Sequence, residues 1–244
     1  MAISIGTAGW SIPRDIAHQF PEEGSGLARY ASRFNIAEIN SSFHRPHRNS
    51  TWARWRDSVP DDFRFSVKLP KQITHVRKLA DCGGELDQFM GEAHTLAPKL
   101  AVMLVQLPPK LAFDVRVAQE FFARIRNLTS AQIACEPRHA SWFGDEAANV
   151  LREFAIARVA ADPAICDTAA RPGAWGGLSY WRLHGSPVVY RSSYADRTDH
   201  YAAQLTQESA TGKDVWCIFD NTASSAGAAD ALMLIDALRS DLRA

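Results

Sequence analysis

Short apolar runs recur along this chain about every 30 residues, each followed by a turn and then by a stretch of helical periodicity. They fall at residues 3–10 (ISIGTAGW), 36–43 (IAEINSSF), 63–70 (FRFSVKLP), 101–108 (AVMLVQLP), 132–139 (QIACEPRH), 157–163 (ARVAADP), 178–185 (LSYWRLHG) and 215–222 (VWCIFDNT). Near-continuous apolar strands alternating with helices are the pattern of a parallel sheet covered on both faces. Eight of them predict an α/β fold of TIM type, a (β/α)8 barrel, with residues 1–244 forming one domain.

The intervening stretches carry helix starts, because a side-chain oxygen at the cap satisfies free amides of the first turn. Asn49, Ser50 or Thr51 is expected to cap WARWRDSV, Asp114 to cap VRVAQEFFARIR, Ser141 to cap the stretch through ANVLREF, and Ser224 or Ser225 to cap GAADALMLIDALR. Residues 163–177 are the exception. Their two prolines and three glycines leave room for a loop or one short helical turn only.

Polar residues interrupt the runs at their C-terminal ends. Glu38 and Asn40 share one parity, as do Ser66 and Lys68, Glu136 and Arg138, and Arg182 and His184, so each pair lies on one face of its strand. Gln106, Asp162 and Asp220 add single polar positions near three further strand ends. Barrel enzymes build their sites at that end, which makes these ten polar residues, Ser66 apart, the candidate site. Forked guanidinium donors suit an anion, so Lys68, Arg138 and Arg182 are expected to hold one. Glu136 or Glu38 is the expected base and His184 the expected acid or proton shuttle, since such groups are tuned near neutral pH by their neighbours. Asn40, Gln106 and Asp220 complete the expected substrate contacts. The same carboxylates and cations can instead pair into a structural ionic network, but burying so many ions costs several kcal/mol each before pairing is credited, which favours a ligand site.

The formal charge is zero yet uneven. Between His44 and Lys78 nine Lys/Arg face three Asp, a surplus of six that suits an anionic partner or, more plainly, a solvated face. His44, Arg45, His47 and Arg48 follow the second strand and can reach a ligand from its loop. Trp10, Phe43, Trp142 and Trp181 can stack on a ring, though aromatics at strand ends more often pack. Met1 precedes no basic, apolar leader, no stretch is long enough for a membrane span, and the four cysteines lack C-x-x-C spacing. A cytoplasmic protein without structural zinc is expected. Neither GTAG at 6–9 nor WGG at 175–177 is a nucleotide fingerprint, no nucleophile elbow occurs, and a lone strand-end histidine among cations is a poor metal site. No cofactor and no metal are therefore expected.

The motifs IGTAGW, YASRFNIAEINSSFHRPH, VPDDFRFSVKLPKQITHVRKL, VQLPP, CEPRHASWF, YWRLHG and FDNTASS, in this order, resemble those of the YecE-like family, domain of unknown function 72. The resemblance spans nearly the whole chain and implies a TIM-type barrel, with no activity to transfer. Its signatures fall on Glu38, Asn40, Ser41, Lys68, Gln106, Glu136, Arg138, His139, Arg182, His184 and Asn221. Asp220 stands where an asparagine is expected, and Pro137 where an aromatic is more usual. The leading expectation is a cofactor-independent enzyme acting on a small phosphorylated or carboxylated, hydroxyl-bearing substrate. The alternatives are a nucleic-acid-binding or nucleic-acid-processing barrel, with the basic 44–78 segment on phosphates, and a non-catalytic metabolite-binding protein.

Overall fold

Each apolar run forms a strand in the computed structural model, which describes residues 3–241 and so leaves Met1, Ala2 and residues 242–244 of the expected domain outside it. The strands are β1 Ile3–Thr7, β2 Ile36–Ile39, β3 Arg64–Lys68, β4 Leu100–Gln106, β5 Gln132–Glu136, β6 Ile156–Arg158, β7 Ala160–Asp162, β8 Gly173–Ala174, β9 Leu178–Leu183 and β10 Asp214–Phe219. The sixth run is thus split in two at Val159. Between the strands lie α1 Gly26–Ala31, α2 Asn49–Asp57, α3 Gly83–Ala93, α4 Val115–Leu128, α5 Asp145–Glu153, α6 Thr198–Ala210 and α7 Gly227–Asp241. None of these helices is long and apolar enough to cross a membrane.

Backbone pairing divides the strands into two sheets, ordered β1-β10-β9-β7 and β2-β3-β4-β5-β6-β8. All pairs are parallel except β6 with the two-residue β8. The expected α/β architecture with parallel strands is present, as two sheets with two seams. At the first seam β6 pairs with β5, and after one residue β7 pairs with β9, so the chain itself passes from one sheet to the other. At the second, β1 and β2 share a single bridge, Ala8 to Glu38, beside which the Gly9 amide donates to the Glu38 carbonyl at 2.8 Å.

Tyr30 of α1 replaces the missing ladder at that second seam. Its hydroxyl accepts from the Thr7 amide at 2.8 Å and donates to the Ile36 carbonyl at 3.1 Å, satisfying two buried backbone groups that have no strand partner. Gly6 permits the approach, because a Cβ there would collide with the Ile36 carbonyl oxygen.

Buried apolar side chains form two layers. The larger packs helices on strands and includes Tyr30, Trp52, Phe65, Phe122 and Leu205. The smaller draws on both sheets, joining Ile36, Leu104, Ala134 and Ala157 to Tyr180 and Ile218. Burial at about 25 cal/mol per Å² makes each layer a major stabilising term and clamps the strand ends against one another.

Local signals were met unevenly. Asp114 caps α4 as expected, accepting from the Arg116 and Val117 amides at 2.9 and 3.1 Å. Helix α2 begins at Asn49 with Arg48 as its uncapped flank, so Asn49 lies inside the helix. Ser141 sits in a short turn, Ala140–Phe143, capped by His139, and accepts from the Phe113 amide, while α5 starts only at Asp145. Ser224 donates to the Arg191 carbonyl rather than capping α7, which starts at Gly227. The Pro/Gly-rich stretch holds one short turn, Asp167–Ala170, and β8.

Candidate functional site

Four of the polar positions end their strands or nearly so: Glu38 in β2, Lys68 in β3, Gln106 in β4 and Glu136 in β5. Arg182 is the penultimate residue of β9, and Arg138, His184 and Asp220 follow their strands within two residues. Period-two geometry directs Arg182 and His184, and likewise Glu136 and Arg138, to one side. The structure brings them into one cluster.

Arg182 is its floor. The side chain is completely buried and four guanidinium N–H groups are engaged. Nη2 donates to Glu38 Oε1 at 2.7 Å and to Asp220 Oδ2 at 2.9 Å, Nε to Glu38 Oε2 at 3.1 Å, and Nη1 to Glu136 Oε2 at 2.6 Å. Glu38 is completed by the Tyr180 hydroxyl, 2.8 Å from Oε2 and also 2.8 Å from Ser66 Oγ. Gln106 Nε2 donates to Glu136 Oε2 at 3.1 Å. This much of the expected site is an ionic network. Arg182, expected to hold a substrate anion, has four of its five N–H donors on carboxylates and Nη1 also 3.5 Å from His184 Nε2, and Glu38, expected as a base, is sealed with both oxygens taken.

Glu136 is corrected in the same way. Burial alone would raise its pKa, but Arg182, Arg138 and His184 outweigh that cost and hold the carboxyl well below its ordinary range. It stays ionised and is a poor base. Asp220, also buried, is likewise held down by Arg182 and His184. Opposing effects act on the Tyr180 phenol too, where burial and Glu38 dominate and push it well up.

His184 is gripped on both ring nitrogens. Nδ1 lies 3.0 Å from Asp220 Oδ2, and Nε2 lies 2.9 Å from Glu136 Oε1 and 3.0 Å from Arg138 Nη2. A doubly protonated ring donates to both carboxylates, whereas a neutral ring with its proton on Nδ1 accepts from Arg138. Arg138, a quarter exposed, also donates through Nε to Glu136 Oε1 at 2.8 Å.

Lys68 stands above this floor. It is 8% exposed, and its Nζ sits 4.3 Å from the centre of the Phe43 ring. Burial, with Arg182 adding repulsion, lowers its pKa to about 8, only partly offset by Glu38, Glu136 and Asp220. Unlike Arg138 and Arg182, it forms no ion pair within 4.0 Å among the described residues. His75 packs edge-on to the same Phe43 ring at 4.9 Å, and burial together with Lys68 lowers its pKa.

Other expected residues lie elsewhere. Asn221 donates to Asp230 Oδ2 at 2.6 Å and to the Ser192 carbonyl at 3.0 Å, tying the 185–194 loop to α7 rather than facing a substrate. Asp162 accepts from Arg197 and Tyr201 on the α6 side. Asn40 follows β2, and its Oδ1, like that of Asn221, is buried without a hydrogen-bond partner among the described residues. Trp142 and Trp181 are core, with indole N–H groups on the Leu111 carbonyl and Ser179 Oγ. Trp10 packs edge-on to Trp55 at 5.2 Å. A cavity of about 460 Å³ adjoins the cluster through Phe43, with His44, Arg45, Lys71, Glu85 and Glu92 on its walls. Arg45 therefore borders an open groove next to the network rather than the network itself.

Sequence reasoning missed Tyr180 and His75. Tyr180 lies two residues before Arg182, so the parity rule already placed it on the site face. His75 lies in a π-type turn, Gln72–Val76, directly after β3, where no periodicity signals it. Among the described residues no group of three or more His, Cys, Asp or Glu is arranged to hold a metal ion, and the three carboxylates are instead filled by one guanidinium.

Residues 4–244 match the family model described as protein of unknown function DUF72. The chain is similar to the UPF0759 protein YecE of Escherichia coli strain K12, 32% identical over 106 residues, which is 43% of this chain and 38% of that protein. It is 30% identical over 151 residues to the UPF0759 protein YunF of Bacillus subtilis strain 168, 58% of this chain and 52% of that one. The matched stretches thus span well under two thirds of either relative. In fold it resembles crystal structures of DUF72 family proteins from Enterococcus faecalis V583 (TM-score 0.81, 20% identity, 98% and 96% of the two chains) and Thermotoga maritima MSB8 (TM-score 0.74, 22% identity, 98% and 100%).

Proposed function

The chain belongs to the DUF72 family, and from that premise we propose that it is an enzyme acting on a small phosphorylated or carboxylated, hydroxyl-bearing substrate, bound where its strands end. The observation that carries this reading is Lys68, a nearly buried cation without an ion pair within 4.0 Å among the described residues, poised beside a floor whose three carboxylates are hydrogen-bonded by Arg182. A buried charge without a counterion is costly, and an oxyanion supplied by a ligand removes the cost. Arg138 is the second anion contact, because it is partly exposed and forked. His184, Glu136 and Asp220 then serve as a proton-holding assembly that fixes the ring and lets one proton move at Nε2.

The site reading is joined to a fold reading, in which the two sheets are halves of one (β/α)8 barrel domain. Its support is the passage of the sixth strand between sheets, the Ala8–Glu38 bridge, and the inner apolar layer shared by both sheets. Incubating the protein with a panel of hydroxy-phosphates and hydroxy-carboxylates, with mass spectrometry of the mixtures, tests the functional reading. A product formed by the native protein and lost in His184→Asn supports it. Anion binding without any turnover would replace it by non-catalytic metabolite binding.

A further inference from the structure

Lys68 differs from the other cations of the cluster in what its nitrogen is free to do. Arg182 and Arg138 are each tied to carboxylates at 2.5–2.9 Å. Lys68 Nζ has the face of Phe43 beside it and no ion pair among the described residues, and it is not sealed among the unpartnered buried atoms. A ring face favours an ammonium only weakly compared with a direct carboxylate contact, and the nearby Glu38, Glu136 and Asp220 offset the burial of the charge only in part. Burial and Arg182 lower its pKa to about 8. Roughly a tenth of the groups are then free amine at pH 7, several hundredfold more than for an ordinary lysine.

The surroundings also supply what an amine nucleophile needs next. His75 shares the Phe43 ring with Lys68, and its Nδ1 is 2.8 Å from Thr74 Oγ1, leaving Nε2 without a hydrogen-bond partner among the described residues. Burial lowers the pKa of this imidazole, which favours the neutral ring with its Nε2 free to accept a proton. Arg138 stands by to hold an anionic group of the same molecule.

We propose that Lys68 is a nucleophile that forms an imine with the carbonyl group of a small anionic aldehyde or ketone, an inference that rests on the anion-binding reading of the same site. The Nζ lone pair adds to the carbonyl carbon, and the C=O pair moves to oxygen, which takes a proton. That proton comes from the nitrogen, and the second amine proton follows it to the oxygen, which leaves as one water while the C=N bond forms. No oxidant or reductant takes part. The substrate class therefore narrows to anionic hydroxy-carbonyl compounds in open-chain form.

Glyoxylate is a suitable probe, being a small anionic aldehyde that reacts with any free amine. The full chain is incubated with glyoxylate, reduced with borohydride, digested and analysed by mass spectrometry, with and without excess inorganic phosphate. The expected result is reduced adduct on Lys68 at roughly tenfold or greater occupancy than on the other five lysines, as its amine population implies. Phosphate should suppress it, and labelling should rise with pH through about 8. Lys68→Arg keeps the charge and should bind phosphate without forming an adduct. If phosphate binds but Lys68 labels no faster than the surface lysines, the imine inference is overturned while the anion reading stands. Preferential labelling that phosphate neither competes with nor accompanies by binding keeps the imine and overturns the anion reading.

Discussion

Arg182 and Glu38 meet as a two-pronged ion pair with neither side chain reaching solvent, Nη2 2.7 Å from Oε1 and Nε 3.1 Å from Oε2. The pair spans the two sheets, since Arg182 is on β9 and Glu38 on β2. Removing one partner strands a buried charge, so Glu38→Gln should cost about 3–5 kcal/mol, whereas replacing the assembly by apolar groups of similar volume is far cheaper. The check is a double-mutant cycle by urea denaturation of Glu38→Leu, Arg182→Met and the double variant. The double variant should be less destabilised than the sum of the singles. Simple additivity would mean that the two residues do not act as a unit.

Tyr30 makes the second inter-sheet contact, and it is testable separately. Tyr30→Phe leaves the Thr7 amide and Ile36 carbonyl unpaired, at a cost of about 1–3 kcal/mol. Hydrogen exchange at the Thr7 amide should accelerate while amides within β4 and β5 stay protected. Equal acceleration everywhere would place the seam elsewhere.

These contacts show where the sequence speaks and where it is silent. All eight apolar runs became strand, because a doubly covered strand needs apolar side chains on both faces, and the residues that the parity rule put on shared faces, Glu38, Glu136, Arg138, Arg182 and His184, meet in one hydrogen-bonded cluster. Roles were less legible. Nothing in a one-dimensional pattern says that Arg182 meets three carboxylates, so a residue expected to bind an anion proved to be the floor. Asn221 carried a family signature, yet its amide ties a loop to α7 through Asp230. The division into two sheets rests on Gly6, Tyr30 and the break at Val159, each a tertiary fact invisible to periodicity. Helix starts failed where an alternative partner was nearer, as for Ser141 beneath the Phe113 amide.

Glu136 sets the acid side of the stability curve. Its folded pKa lies well below the ordinary value of 4.5, so its contribution is fully present above that value and is lost as the pH falls towards the folded pKa. The native protein should therefore lose stability steeply below about pH 4.5. Glu136→Gln, less stable at neutral pH, should show a shallower decline there. Parallel curves for the two proteins, from melting at a series of pH values, would contradict the assignment.

Lys68 acts on the alkaline side, where its buried charge is a cost rather than a contribution. Its folded pKa of about 8 is below the unfolded 10.5, so below pH 8 both states are protonated and the full cost of burying the charge is borne. Between pH 8 and 10.5 the unfolded chain binds the extra proton, and stability rises with pH. Lys68→Met should accordingly be more stable by about 1 kcal/mol at pH 7, a gain that shrinks towards pH 10. A destabilised Met variant at neutral pH would show that Lys68 is structural.

The central claim, that Lys68 and Arg138 hold a small anion at the strand ends, is tested most directly by calorimetric titration of inorganic phosphate at matched salt. The native protein should bind at one site, and Arg138→Ala and Lys68→Ala should each weaken binding by roughly tenfold or more while melting close to the native temperature, because a charged hydrogen bond contributes about 1.5–3 kcal/mol. Absence of binding by the native protein, or variants that bind as tightly as it does, would contradict the account and leave the cluster a structural ion network.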